Sequence, residues 1–312
     1  MINLQLLTSA LPEALPTHVA ALIQSYAAVE TVHEMQRDWD NFLQSKNRQE
    51  NSSTTNREAE FALIEEFSER QISRFRPFIE DIDRYAEWRP YVENKITLQN
   101  GTEVSASPIQ FAQPEIQSHH FIASQAPTEK NRHLFWQMVF EQQGDQIVML
   151  TELSEDNEEL CYPYWPQNIN DKICFENGLV VTLLEHSVLL SELRECIEMR
   201  KCCLSQHGTT RIVTHYWYRH WPDFTAPTQT QTIKALVNVV AQDKKSNNSH
   251  APIITHCAAG VGRTSVFVIW YLQRQSAQPL DLFTLTGHLR WQRHEMVGEL
   301  SQYLFCDQAR KD

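Results

Sequence analysis

An α/β fold, with sheet strands alternating with helices, is predicted from three observations. Segments rich in β-forming residues, Gln146–Thr151, Leu179–Leu190, Leu193–Met199 and Arg211–Tyr218, alternate with segments of helical spacing, Asn131–Gln142, Thr228–Gln242, Gly262–Gln275 and Asp281–Arg293. The apolar run Ile253–His256 reads as a buried strand that delivers a cysteine at its carboxyl end, where open α/β sheets place their chemistry. A chain of 312 residues, 42% hydrophobic and 21% charged, can also bury the large core such a sheet needs.

The first elements are helical. Residues 17–44 predict a helix carrying Val19, Leu22, Ile23, Tyr26, Ala27 and Val32. A polar stretch from Ser45 to Glu58, containing Asn51-Ser52-Ser53-Thr54-Thr55-Asn56, has the composition of a linker. A second helix starts near Arg57 with Phe61, Ile64 and Phe67 on one face. This divides the chain into an N-terminal helical extension with linker, 1–57, and a larger domain, 58–312. The clearest helical stripe is Ile233, Leu236, Val237 and Val240, and the polar connection Lys244–His250 leads into the strand before the cysteine.

The net charge of −12 argues against nonspecific nucleic-acid binding and against docking on anionic membranes. No apolar stretch approaches a membrane span, so stable membrane insertion is not expected. Met1–Leu7 lacks a basic start, and Pro12 and Glu13 soon interrupt its apolar run, so no cleavable signal peptide is expected. Seven cysteines with no Cys-x-x-Cys pair give neither a disulfide framework nor a zinc site, and suit a reducing, cytoplasmic compartment. Cys202 and Cys203, adjacent in sequence, are expected in a turn.

The chemistry concentrates in His256-Cys257-Ala258-Ala259-Gly260-Val261-Gly262-Arg263-Thr264. A helix start offers unpaired N–H groups and partial positive charge, and a tight loop with converging amides forms an anion nest. Cys257 at the mouth of that nest is placed where a thiolate is favoured. Arg263 can fork two oxygens of a bound phosphate. Upstream, Trp221-Pro222-Asp223-Phe224 suits a turn, and its acid lies 257 − 223 = 34 residues before the cysteine, room for one helix and one strand.

With these residues in view, the sequence resembles the tyrosine-specific branch of the protein tyrosine phosphatase family, whose signature is His-Cys-x5-Arg-[Ser/Thr]. The resemblance covers roughly residues 58–310. It implies a twisted mixed sheet flanked by helices, with 1–57 as an added N-terminal helical segment. It assigns Cys257 as nucleophile and residues 258–263 (Ala258, Ala259, Gly260, Val261, Gly262 and Arg263) as the phosphate loop, supported by His256. Asp223 becomes the proton donor on a mobile loop with Trp221 and Phe224, and Thr264 steadies the thiolate as it leaves. Tyr85, in Asp83-Arg84-Tyr85-Ala86-Glu87, would line a slot for a phenyl ring, with Glu87 holding substrate backbone. Glu155 would orient Arg263. The implied chemistry requires no metal or other cofactor.

Departures from the family pattern are equally specific. Gly298 stands where a water-positioning glutamine is usual, while Gln302 keeps the second glutamine; Leu160 replaces a common lysine and Ala258 a common serine. The expected function is hydrolysis of phosphotyrosine in proteins through a cysteinyl-phosphate. Gly298 motivates an alternative, a catalytically impaired phosphotyrosine-binding module or substrate trap. A dual-specificity or lipid phosphatase ranks below both. The expected partners are phosphotyrosine-containing proteins, with a docking partner or chaperone as a further candidate for 1–57. Such an added helical segment on a glycine-poor chain also suits a secreted effector acting in a host cytosol.

Overall fold

The computed structural model describes residues 33–46, 56–111, 116, 119–190 and 196–309. Residues 17–32 of the helix expected over 17–44, most of the linker and the strand residues 193–195 lie outside the described residues. Helix α1 covers 33–45, and α2 (Arg57–Glu69) starts at Asn56, whose Oδ1 accepts from the N–H groups of Glu58 and Ala59.

A short hairpin, β1 (Ile96–Thr97) with β2 (Glu103–Val104), precedes β3 (Ala106–Ile109) and β4 (Phe121–Ser124). After α3 (Arg132–Glu141) come β5 (Gln146–Met149), a small hairpin β6 (Ser154–Glu155) and β7 (Glu158–Glu159), and the strands β8 (Lys172–Cys174), β9 (Val180–Leu190), β10 (Cys196–Gln206) and β11 (Thr209–Arg219). The chain continues through α4 (Thr230–Ser246), β12 (Ile253–His256), α5 (Gly262–Gln275), α6 (Leu282–Gln292) and α7 (Leu300–Gln308).

The main sheet has eight strands in the order β3-β4-β12-β5-β11-β10-β9-β8. Its centre, β4-β12-β5-β11, is parallel and its flanks are antiparallel. Both faces of that centre are covered, which explains why its strands read as continuous apolar runs. Val148 and Ile253 face α4 and α5, whereas Ile147, Met149 and Ile254 face α3 with Phe135 and Trp136. The connection β11–α4–β12 brings two parallel strands to either side of β5. The carboxyl ends of β11 and β12 therefore open on the same side.

Helix α1 joins the same core as α2 and α6. Trp39, fully buried, packs against Phe67 and Phe283, and Trp291 Nε1 donates to Asp38 at 3.0 Å. The Trp39 ring lies so close to Gly287 that a Cβ there would come within 2.5 Å of it. Burying an aromatic of this size contributes on the order of 3 kcal/mol.

Two expectations are corrected. Cys202 and Cys203 lie inside β10, not in a turn, and strand alternation buries Cys202 while leaving Cys203 half-buried. Helix α4 runs on to Ser246, past the expected end at 242, because Lys244 turns inward to Asp145 and to the carbonyl of Ala251. No helix among the described residues is long and apolar enough to cross a membrane.

Candidate active site

Strand β12 ends at His256, and the next six residues wrap into the first turn of α5. Cys257 is buried, 2% exposed, and Gly260 N–H donates to its Sγ at 3.3 Å. Gly260 has φ +72°, and a Cβ there would stand 2.0 Å from Ser124 O. Only glycine fits that corner. The loop's carbonyls are turned outward: Ala258 O accepts from Ala126 N–H at 2.9 Å, and Arg293 donates to Gly260 O at 2.9 Å and Ala259 O at 3.1 Å. Carbonyls held outward leave N–H groups facing the cysteine, the arrangement that binds anions. Thr264 Oγ1, immediately beyond, is buried without a partner among the described residues.

His256 fixes the strand end. Its Nδ1 lies 3.1 Å from Cys257 O, and a carbonyl can only accept, so Nδ1 carries the proton. Nε2 then accepts from Tyr164 Oη at 2.8 Å, which in turn accepts from His215 Nε2 at 2.9 Å. Burial pushes His256 down to about 4 and His215 well below the usual imidazole range, so both rings are neutral, as this chain of bonds requires.

The acid loop leaves β11 after Arg219 through His220, at φ +68°. Asp223 Oδ1 lies 2.7 Å from an Arg263 terminal nitrogen, and Arg263 Nη1 donates to Trp221 O at 3.0 Å. Trp221 is buried, with Nε1 donating to Thr225 O at 3.0 Å. Gln302 reaches the same carbonyl from α7, its Nε2 donating at 3.1 Å. Its Oε1 is buried without a partner among the described residues. Phe224, at φ +53°, is largely exposed at the rim.

Glu155 is not the partner of Arg263 in this structure. The hairpin β6–β7 presents its Oε2 to the backbone N–H of Asp223, 3.2 Å away, while Arg263 is engaged by Trp221 and Asp223. Its contact is with the acid loop.

Tyr85 stands on the opposite wall, packed edge-on against Trp88 with ring centroids 5.3 Å apart. Burial raises the pKa of its phenol, keeping the ring neutral. Gln125 pins this segment: its Oε1 accepts from the N–H groups of Arg84 and Tyr85 at 2.7 and 3.1 Å, and its Nε2 donates to Tyr85 O at 2.9 Å. Beneath it Asp83 and Arg76 form a fully buried two-bond pair at 2.6 and 2.8 Å. Glu87 is exposed and does not line the cavity.

These elements enclose a cavity of about 570 Å³ with Cys257, Ala258, Ala259, Val261 and Gly262 on its wall, together with Tyr85, Trp88, Asp223, Phe224 and Gln302. Gly298 lies on the same wall; its φ needs no glycine, and a Cβ would meet nothing nearer than Glu295 O at 3.7 Å. The supporting roles of Arg293, Gln125, Tyr164 and His215 have no counterpart among the sequence expectations. Tyr164 and Gln125 fall in segments that the resemblance covered, but only the contacts reveal what they do. No group of three or more potential metal ligands occurs among the described residues.

The chain is similar to known proteins in both sequence and fold. The sequence model of the family described as protein-tyrosine phosphatase matches residues 80–311. Receptor-type tyrosine-protein phosphatase epsilon of Rattus norvegicus is 37% identical over 203 residues, 62% of this chain and 27% of that protein. Receptor-type tyrosine-protein phosphatase alpha of Homo sapiens is 32% identical over 244 residues, 73% of this chain and 29% of its own length. The chain thus spans less than a third of the length of these curated relatives. In fold it is similar to PTPN18 in complex with HER2-pY1248 phosphor-peptides, with a TM-score of 0.72 at 23% identity over 82% of this chain and 98% of that one. The chain belongs to the protein-tyrosine phosphatase family.

Proposed function

We propose that this protein hydrolyses phosphotyrosine in proteins through a cysteinyl-phosphate. The observation that carries the reading is Cys257 at the wall of an aromatic-flanked cavity, with Gly260 N–H on its sulfur and Asp223 and Arg263 beside it. The thiolate of Cys257 attacks phosphorus as the P–O bond to the tyrosine breaks. Arg263 and the loop N–H groups hold the three non-bridging oxygens, and the Asp223 carboxyl gives its proton to the departing phenolate. Water then attacks phosphorus, the P–S bond breaks, and the Asp223 carboxylate takes the water's proton. Thr264 steadies the thiolate as it leaves, and Gln302 orients the water through its unpartnered Oε1. Tyr85 and Trp88 give the cavity a wall suited to a phenyl ring, and a shorter phosphoserine would not reach the sulfur.

The catalytic unit we assign is 58–312, with the described part of 1–57 as an accessory helix. A reducing, cytoplasmic setting follows from the nucleophile's need for a free thiol. A docking partner or chaperone for 1–57, and action as a secreted effector in a host cytosol, rest on the sequence alone. The test is a stopped-flow time course of phosphotyrosyl-peptide hydrolysis with Cys257→Ser as control. Steady turnover that the variant lacks supports the reading. A burst near one equivalent would mean that water attack fails, and no phosphate release with intact binding would leave only a phosphotyrosine-binding module.

A further inference from the structure

The charge around the cavity bears on which phosphotyrosines it takes. Six carboxylates line it, those of Glu155, Asp156, Glu158, Asp223, Glu295 and Glu299, and no lysine, arginine or histidine among the described residues shares the lining. Three are already engaged: Glu155 by Asp223 N–H, Asp223 by Arg263, and Glu295 by Trp88 Nε1. Asp156, Glu158 and Glu299 have no side-chain partner among the described residues. Asp156 and Glu158 project from the β6–β7 hairpin, and Glu299 sits at the N-cap of α7 without capping it. Free carboxylates therefore border the cavity from two separate elements. The cavity is marked as a ligand site by more than its acids, since Gln302, 2% exposed, lines it with Oε1 unsatisfied among the described residues.

Such a rim opposes a dianionic phosphate on approach, and a low-dielectric cleft focuses that field. The opposition reverses when the residues beside the phosphotyrosine are cationic. An extended peptide places its flanking three residues within roughly 10 Å of the phosphotyrosine, comparable with a Debye length of about 8 Å at physiological salt. Resting on the phosphatase reading above, we infer that the favoured substrate is a phosphotyrosyl segment flanked by lysine or arginine, read by Asp156, Glu158 and Glu299. Acid-flanked and doubly phosphorylated segments are disfavoured by the same three groups.

The experiment compares matched phosphotyrosyl peptides carrying Lys and Arg, or Glu and Asp, on both sides of the phosphotyrosine. The expected result is a kcat/KM ratio of about tenfold in favour of the basic peptide at low salt, shrinking as salt rises. In the triple variant Asp156→Asn, Glu158→Gln, Glu299→Gln the ratio should fall toward one. Because the readout is a ratio on a single enzyme, a general loss of activity in the variant cancels. Equal rates or an acidic preference in the wild type would overturn the inference, as would a basic preference that survives the triple change. If the wild type turns over neither peptide, the catalytic reading fails. The ratio of peptide Kd values on Cys257→Ser, by fluorescence anisotropy, still decides the inference.

Discussion

Asp223, on the cavity wall, and the buried Arg263 form an ion pair at 2.7 Å, so the acid and the phosphate clamp of the proposed mechanism hold each other before substrate arrives. An incoming phosphate must take Arg263 away from Asp223, and that exchange leaves the carboxyl beside the ester oxygen it has to protonate. Asp223→Ala should therefore separate binding from chemistry. We expect kcat on a phosphotyrosyl peptide to fall about 10²- to 10⁴-fold. On a Cys257→Ser background, peptide affinity should rise because Arg263 is released. Weaker binding in the double variant would show that the pair assembles the site instead of competing for it.

Arg293 is the strut of the proposed phosphate loop. It is fully buried, with burial lowering its pKa to about 10, and its four bonds join Gly260 O, Ala259 O, Trp88 O and Ser107 Oγ. Arg293→Met should leave two loop carbonyls without donors, lowering stability on the order of 3 kcal/mol. Lysine keeps the charge but loses the fork, so Arg293→Lys should fold better than the methionine variant yet bind inorganic phosphate more weakly than wild type. Urea melts and phosphate inhibition constants check both, and wild-type phosphate affinity in Arg293→Met would discard the strut.

Gly298 has room for a side chain, since its Cβ would find nothing nearer than Glu295 O at 3.7 Å. Gly298→Gln should therefore be accepted at a stability change within about 0.5 kcal/mol. If breakdown of the phosphoenzyme limits turnover, this variant raises steady-state kcat, and the burst amplitude falls as breakdown approaches the rate of phosphoenzyme formation. Rapid-quench measurement of the phosphoenzyme tests this, and an unchanged breakdown rate would assign water positioning to Gln302 alone.

The proposed reactive centre is legible in the sequence because its parts are close along the chain. Cys257, Gly260 and Arg263 share one strand–loop–helix, and Asp223 is one crossover away, at the end of a strand that also borders β5. The supports are not legible, because their partners are distant: Arg293 meets Gly260 from 33 residues away and Trp88 from 205, and Gln125 meets Tyr85 from 40. Glu155 is recognisable as part of the site, yet its partner depends on how a two-residue hairpin approaches the acid loop, and no local pattern encodes that angle. The adjacent cysteines of β10 mislead because a polar strand with Lys201 and Ser205 resembles a turn until its neighbours are known.

Three fully buried histidines, His215, His256 and His288, should make this fold acid-sensitive. His256 and His288 are held near about 4, and His215 well below its usual value, each chiefly by burial. Unfolded, these rings titrate near the ordinary imidazole value of 6.5. With the folded value lowered, the unfolded chain binds more protons below about 6.5, so stability is full above that pH. It is lost as pH falls toward about 4, on the order of 3 kcal/mol for each ring whose shift reaches that value. Urea unfolding at pH 7, 6 and 5 should thus give a stability that drops with acid, these three rings contributing a slope that approaches three protons and His119, His120 and His294, also lowered by burial, adding to it. His288 has both ring nitrogens buried without partners among the described residues, so His288→Leu removes one titration without breaking a bond to any of them. Its slope should be shallower by one proton, about 1.4 kcal/mol per pH unit. A pH-independent wild type would mean that these rings take up protons in the folded state, and the neutral chain from His215 through Tyr164 to His256 would then have to be abandoned.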